Sequence, residues 1–470
     1  GEEAIEAALA AIEAPLLSPE QRGAAAASAR SGLAIISGGP GTGKTTLIAA
    51  IVGMFLQLGV APDAIALAAP TGKAAYRMGE IIRTAIPQVE APATLHRLLG
   101  YSPESGRFRH HRNNPLAAKV AIVDEGSMLD LELMERLLDA LAPNARLVLI
   151  GDPGQLPSVS AGAVFRDLAA LGEDEEGPLA RACVRLTRNY RSGGDGAIGN
   201  QVHRVAAEIA CGGDPIPLVA RRQRAADLQF SGVELGGGKP GDLDDFLDRW
   251  YEACVRLHPG SGEWLDREFV EGDRGFDLPD CERIRRAFAD ATAARILCVT
   301  RVFETGADAI NRRFHERVAN DRGADRIRGA VLPGEPVVVL RNDYERSLFN
   351  GDRGIVLKVR CGGSSAAPMA VFARGDNFAA YRLEEMGGMI EPSYATTVHK
   401  AQGSEFDSVA LVLPEREIPL LTREIVYTAI SRARRSAAII GDESILRFAV
   451  GRKTERFSTL RIRLEAEPSV

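Results

Sequence analysis

Ser37-Gly38-Gly39-Pro40-Gly41-Thr42-Gly43-Lys44-Thr45-Thr46 follows the apolar run Leu33-Ala34-Ile35-Ile36 and leads into the helix-forming stretch Leu47 to Leu58. Strand, glycine-rich loop and helix in that order are the sequence form of a phosphate-binding P-loop. The glycines let backbone N–H groups turn toward phosphate oxygens at a helix N-terminus. Lys44 adds a positive charge there, and the Thr45 hydroxyl is placed to ligate Mg²⁺. The implied ligand is a nucleoside triphosphate.

Working outward, three further runs end near polar or glycine residues: Ala64 to Ala68, Val120 to Val123 and Leu147 to Ile150. Alternation of such runs with helical patterns predicts a parallel, doubly wound α/β sheet. Its ligands bind beyond the carboxyl ends of the strands, where the P-loop, Asp124-Glu125 and Gly151-Asp152 all fall. Asp124 is assigned to the metal and Glu125 to the attacking water, the pair of carboxylate tasks that hydrolysis needs. Gln155 is a candidate sensor of the γ-phosphate, and Arg191 and Arg432 are candidate arginine fingers. Such a finger is typically worth ~10³ to 10⁵ in rate.

Ile296 to Val299, Val409 to Leu413 and Ala437 to Ile440 predict a second parallel sheet without a P-loop of its own. The expected division is a first RecA-like lobe over 1–182 with a short insertion near 97–118, and a second lobe over 183–330 and 391–470. An SH3-like β-barrel over 331–390 is expected between the two parts of the second lobe, from Val337 to Leu340, the Asn350-Gly351 turn and Gly354 to Val359. The Gly236-Gly237-Gly238 run reads as a surface loop, and so does the series Asp227, Glu234, Lys239, the one loose hint of a nuclease site.

The formal charge of −6 argues against a uniformly basic coat but leaves room for a local basic channel. The six cysteines are scattered without C-x-x-C spacing, so reduced thiols in a cytoplasmic protein are expected, with no membrane segment. Gln21 has two readings: a contact to adenine through its amide, or the third residue of a capping box begun by Ser18. Arg109-His110-His111-Arg112 is a basic loop near duplex DNA or, more simply, an exposed loop.

Beyond the P-loop, Leu67-Ala68-Ala69-Pro70-Thr71-Gly72-Lys73, Ala93-Thr94-Leu95-His96-Arg97, Phe349-Asn350-Gly351-Asp352, Thr397-Val398-His399-Lys400-Ala401-Gln402-Gly403-Ser404-Glu405-Phe406 and Arg423-Glu424-Ile425-Val426-Tyr427-Thr428-Ala429 stand in one order. In these blocks the chain resembles the superfamily 1 DNA helicases, most nearly the RecD family of exodeoxyribonuclease V α subunits. The resemblance implies ATP and Mg²⁺ as cofactors and a motor that walks 5′ to 3′ on single-stranded DNA. It also implies end-containing duplex DNA as substrate, and RecB-like and RecC-like partner subunits acting on double-strand breaks.

By the same resemblance Gly38, Gly39, Pro40, Gly41, Thr42, Gly43, Lys44, Thr45, Thr46, Gln21 and Glu405 hold the nucleotide. Pro70, Thr71, Thr94, His96, Thr397, His399 and Lys400 line the DNA path. Hydroxyls and positive charge suit sequence-independent phosphate and sugar contacts. Gly126 departs from the alanine usual in the family and is expected to loosen a helix start by up to ~1 kcal/mol. RecD chains carry an N-terminal domain that docks on RecC, and because Gly1 is not an initiator methionine a preceding segment is expected. A DNA-binding scaffold with slow ATPase and a stand-alone RecD-like helicase are the alternatives.

Overall fold

A computed structural model describes residues 1–12, 17–173, 177, 179–190, 197–239, 241–256, 264–265, 267–272, 275–321, 331–343, 345–362, 364–375, 377–456 and 460. Two compact units result, one of Gly1–Gly196 with Lys453–Val470 and one of Ala197–Arg452.

The first unit is built on β1 (Leu33–Gly38), β2 (Ile65–Ala69), β3 (Ala93–Thr94), β6 (Val120–Val123), β7 (Arg146–Gly151) and β8 (Cys183–Leu186); β4 (Tyr101–Ser102) and β5 (Arg107–Phe108) form a separate hairpin. All six sheet strands are parallel, in the order β3-β2-β6-β7-β1-β8. Alternate residues feed opposite cores: Ala34 and Ile36 pack with Leu47, Ile48 and Ile51 on one face, and Ile35 with Val123, Leu149 and Phe165 on the other. A strand buried on both faces explains the continuous apolar runs seen in the sequence.

Two expected boundaries move. Cys183–Leu186, placed in the second lobe by the sequence, pairs with β1 through Ile35↔Cys183 to Gly38↔Leu186 and belongs to the first unit. Arg456 likewise returns to the first unit, where its guanidinium donates to the carbonyl oxygens of Ser158 and Ser160 at 3.0 Å.

The second unit holds another all-parallel sheet of β9 (Ala220–Arg221), β10 (Gly232–Gly236), β13 (Ala294–Cys298), β19 (Ala395–Thr397), β20 (Phe406–Val412) and β21 (Ala433–Ile440), ordered β19-β13-β20-β21-β10-β9. Here a reading from sequence fails: Glu234 is not on a surface loop but in β10, which is buried throughout. Its carboxylate has 0% exposure, pairs with Arg222 at 2.6 Å, and accepts the backbone N–H groups of Gln229 and Ser231. These partners make it a structural ion pair rather than part of a nuclease site.

The glycine run after β10 leads into the helix Asp242–Trp250, the strand-loop-helix order of a P-loop. Asp242, however, accepts the backbone N–H of Lys239 at 2.8 Å, so a carboxylate of the protein takes a donor that a phosphate would need.

A seven-stranded mixed sheet completes the second unit: β11 (Glu268–Gly272), β12 (Gly275–Phe276), β14 (Pro336–Val339), β15 (Arg353–Cys361), β16 (Ala367–Arg374), β17 (Asn377–Arg382) and β18 (Ile390–Pro392). β15 has β16 along one edge; β14 lies beside its first half and β11 beside its last. The pairing Glu268↔Lys358 brings Glu268–Gly272, and with it Gly275–Phe276, into this sheet, outside the 331–390 span expected from sequence. No described helix is long and apolar enough to cross a membrane.

Candidate nucleotide and DNA sites

The P-loop turns where the glycines allow it. Gly41 and Gly43 have φ of 79° and 78°, a left-handed backbone that glycine adopts without a Cβ clash. A Cβ at Gly38 would stand 2.7 Å from Thr42 Oγ1, so the start of the loop also excludes a side chain. Thr42 Oγ1 donates to Gly39 O, and the Lys44 ammonium donates to Gly38 O at 2.7 Å and Gly39 O at 2.8 Å. Lys44 opens the 14-residue helix Lys44–Gln57, whose first N–H groups and dipole make an anion site with Thr45 and Thr46 in its first turn.

Of the two readings of Gln21, the structure holds the capping box. Its side chain accepts from the Ser18 backbone N–H while Ser18 Oγ accepts from Gln21 N, completing the capping box. The same amide donates to Thr42 O at 3.3 Å and accepts from the Tyr190 hydroxyl at 3.3 Å. Asn189 donates to Pro40 O and Tyr190 N to Gly41 O, so residues 189–190 clasp the loop, an arrangement the sequence did not disclose. Glu20 fastens the segment further by accepting from Thr187 and Arg188. Arg191, the next residue, lies outside the described residues.

At the carboxyl ends of the neighbouring strands, Ser37 is in register with Gly151 and Val123 with Leu149. Asp124 is buried, and burial, reinforced by the negative charge of Glu125, pushes its carboxyl up to about 6; the Glu125 N–H it accepts and the charges of Lys44 and Arg77 pull the other way. A buried carboxylate near an ammonium, held by one backbone N–H, fits a cation as its missing counter-charge. Glu125 has a φ of 53°, a strained conformation for a residue with a Cβ. Gln155 donates to Asp152 Oδ2 at 3.0 Å, and both side chains are buried.

Of the first-unit DNA candidates, Thr71 caps the helix Gly72–Ala85 and Thr94 caps the short helix Leu95–Leu98, accepting from Ala74 N and Arg97 N. Pro70 follows Ala69, which pairs with Thr94, so these residues share one strand-end edge. His96 is exposed and packs edge-on to Tyr101 at 5.4 Å, with Phe108 completing the cluster. In the basic loop, Arg112 is committed to Asp139 at 2.8 Å.

In the second unit, Thr397 ends β19 and accepts from Lys400 N, while His399 is half-buried and Lys400 exposed. Glu405 accepts from Arg434 at 3.2 Å. Arg432 is 3% exposed, and its three nitrogens donate to Thr428 O, Ser404 O and Ser431 Oγ. No carboxylate pairs with it among the described residues.

A P-loop after β1, an acidic pair after the next-but-one strand β6 and a second parallel sheet define a nucleoside triphosphatase of the helicase kind. Residues 21–161 match the AAA domain model, and residues 392–440 the UvrD-like helicase C-terminal domain model. The RecBCD enzyme subunit RecD of Mycolicibacterium smegmatis is 35% identical over 95% of this chain and 74% of its own length. The ATP-dependent RecD2 DNA helicase of Deinococcus radiodurans is 33% identical over 94% of this chain and 52% of its own. The Pif1 helicase structure from Candida albicans aligns over 92% of this chain and 98% of its own, with 16% identity and a TM-score of 0.46. The chain belongs to the RecD family.

Proposed function

We propose that this RecD-family, ATP-hydrolysing DNA helicase moves 5′ to 3′ on single-stranded DNA and serves with RecB-like and RecC-like subunits in processing double-strand ends. The observation that carries the reading is Asp124, a buried carboxylate acted on by the charge of Lys44 beside a glycine-turned P-loop. Thr45 and Asp124 would hold Mg²⁺, which when bound would neutralise phosphate charge. Glu125 orients water and accepts its proton, while Lys44 and the N–H groups of residues 41–46 bind the phosphates. Gln155, held against Asp152, is assigned to the γ-phosphate, Gln21 to the base, and Arg432 and Arg191 to the charge that develops in the transition state. Glu405 is assigned to the nucleotide.

Pro70, Thr71, Thr94, His96, Thr397, His399 and Lys400 are assigned to the DNA strand, and the strands of 336–392 to the family's inserted SH3-like barrel. Membership in a three-subunit complex is supported by relatives named as RecBCD subunits. The 33% identity to a protein named as a RecD2 helicase favours a second reading, a motor that works without such partners. ATPase with and without single-stranded DNA tests the motor, and strand displacement on 5′ or 3′ overhangs tests polarity. Turnover indifferent to nucleic acid, yet abolished by Lys44→Ala, would leave a P-loop enzyme of another kind.

A further inference from the structure

The two parallel sheets repeat one succession of strands: β3-β2-β6-β7-β1 in the first unit and β19-β13-β20-β21-β10 in the second. In the first, Ala69 pairs with Thr94; in the second, Cys298 pairs with Thr397. Thr300 therefore stands two residues beyond Cys298 as Thr71 stands two beyond Ala69. After Thr71 the helix begins at once with Gly72, but after Thr300 six residues, 301–306, intervene before the helix Ala307–Asp321.

That six-residue loop holds an aromatic side chain in water. Phe303 is 67% exposed with a φ of 74°, and Val302 beside it is 56% exposed. A left-handed phenylalanine persists only where its surroundings impose it. Here they do. Thr300 Oγ1 donates to Val302 O, Gly306 N to Phe303 O, Ala307 N to Thr300 O and Asp308 N to Arg301 O. A Cβ at Gly306 would lie 2.1 Å from Val302 O, so the loop closes only with glycine there. Arg301 is tied to Asp308 at 2.9 Å and to Glu391 at 3.6 Å, which anchors the loop and takes its cation out of play.

We propose that Phe303 is a stacking platform for one base of single-stranded DNA, beside a backbone track made by Thr300 with Thr397 and Lys400 at the same end of the adjacent strands β13 and β19. The proposal rests on the helicase reading and extends its DNA path to a residue outside every motif singled out in the sequence. A rigid, exposed ring next to hydroxyls and a lysine is the combination that binds single strands without regard to sequence, because every base offers a π face.

The test is binding of a fluorescent oligo-dT and of the same length of abasic strand to the whole chain and to Phe303→Ala, Phe303→Trp and Phe303→Gly. Phe303→Ala is expected to weaken oligo-dT binding about tenfold, with the difference lost on the abasic strand, and Phe303→Trp to retain affinity. Phe303→Gly is expected to lose the same affinity while melting no lower than wild type, since glycine tolerates the positive φ. Equal binding by wild type and Phe303→Ala, or an equal loss on both strands, overturns the stacking role. A wild-type chain that binds neither strand overturns the DNA reading and this proposal with it.

Discussion

The ring of Phe165 lies so close over Gly126 that a Cβ built at 126 would stand 2.8 Å from Phe165 Cδ2 and 3.2 Å from the carbonyl oxygen of Ile150. The same ring lies 3.0 Å from a Cβ position at Gly151. Phe165 is 1% exposed and has little room to retreat. Gly126, which directly follows the two carboxylates, is therefore matched to a large neighbour. Its expected effect, a looser helix start, gives way to a packing role in the short turn Gly126–Met128.

Gly126→Ala is accordingly expected to destabilise the chain by about 1 to 3 kcal/mol through overpacking, and to slow hydrolysis by displacing Glu125. Adding Phe165→Leu should recover part of both. Denaturant melts of the single and double variants measure the coupling. A Gly126→Ala chain as stable and active as wild type would show that the ring yields freely.

Asp124 sets hydrolysis against stability. Its carboxyl is raised from 3.8 to about 6, so ionising it opposes folding, and the penalty grows between those two values and is complete above them. Without nucleotide or Mg²⁺, Asp124→Asn should be more stable than wild type at pH 8 by about 1 to 3 kcal/mol. The gap should close toward pH 4, and the variant should have lost ATP hydrolysis. A variant that is less stable at pH 8 would show that the carboxylate is already satisfied by its neighbours.

What could be read in advance was what is local. The P-loop declares itself within ten residues because glycines, lysine and threonine each answer a requirement of the loop, and the Ser18–Gln21 cap is equally short-range. Glu234 reads as a loop residue because glycines at both ends of the five-residue run Gly232–Gly236 imitate a loop, whereas β10 is defined by pairing with β9 and with β21, the latter some two hundred residues away. The Glu268↔Lys358 pairing that enlarges the mixed sheet is likewise long-range. Phe165 gave no signal, since its role depends on the missing Cβ of two glycines in other elements. Tyr190 and Asn189 were visible only as neighbours of an arginine, not as a clasp on residues 40–41.

Arg432 is spread over three acceptors, with Nε on Thr428 O, Nη1 on Ser404 O and Nη2 on Ser431 Oγ at 3.1 to 3.3 Å. A lysine has one nitrogen and cannot span them. Arg432→Lys should therefore lose DNA-stimulated turnover almost as fully as Arg432→Ala, by ~10³-fold or more, while nucleotide affinity changes by less than about tenfold. Stopped-flow nucleotide binding alongside steady-state turnover separates the two effects. Losses of affinity and rate in step would assign Arg432 to ground-state binding instead.

Glu335 is wholly buried and accepts from Leu332 N at 2.7 Å, from the Tyr394 hydroxyl at 3.3 Å and from His315 Nδ1 at 3.0 Å. The hydrogen bond to Glu335 holds the His315 imidazolium above its ordinary 6.5, burial opposing and the Glu335 charge assisting. A raised histidine stabilises the fold fully below its unfolded value, and that stabilisation is lost as pH climbs through the folded value. His315→Gln should thus be less stable than wild type at pH 6 by about 1 to 2 kcal/mol, the scale of a hydrogen bond to a charged group, and converge with it by pH 9. Urea melts of both proteins across that range measure the difference, and the subtraction removes Asp124 and every other group they share. A gap that stays constant with pH would mean that the imidazole supports Glu335 in its neutral form, and that no proton is exchanged on folding.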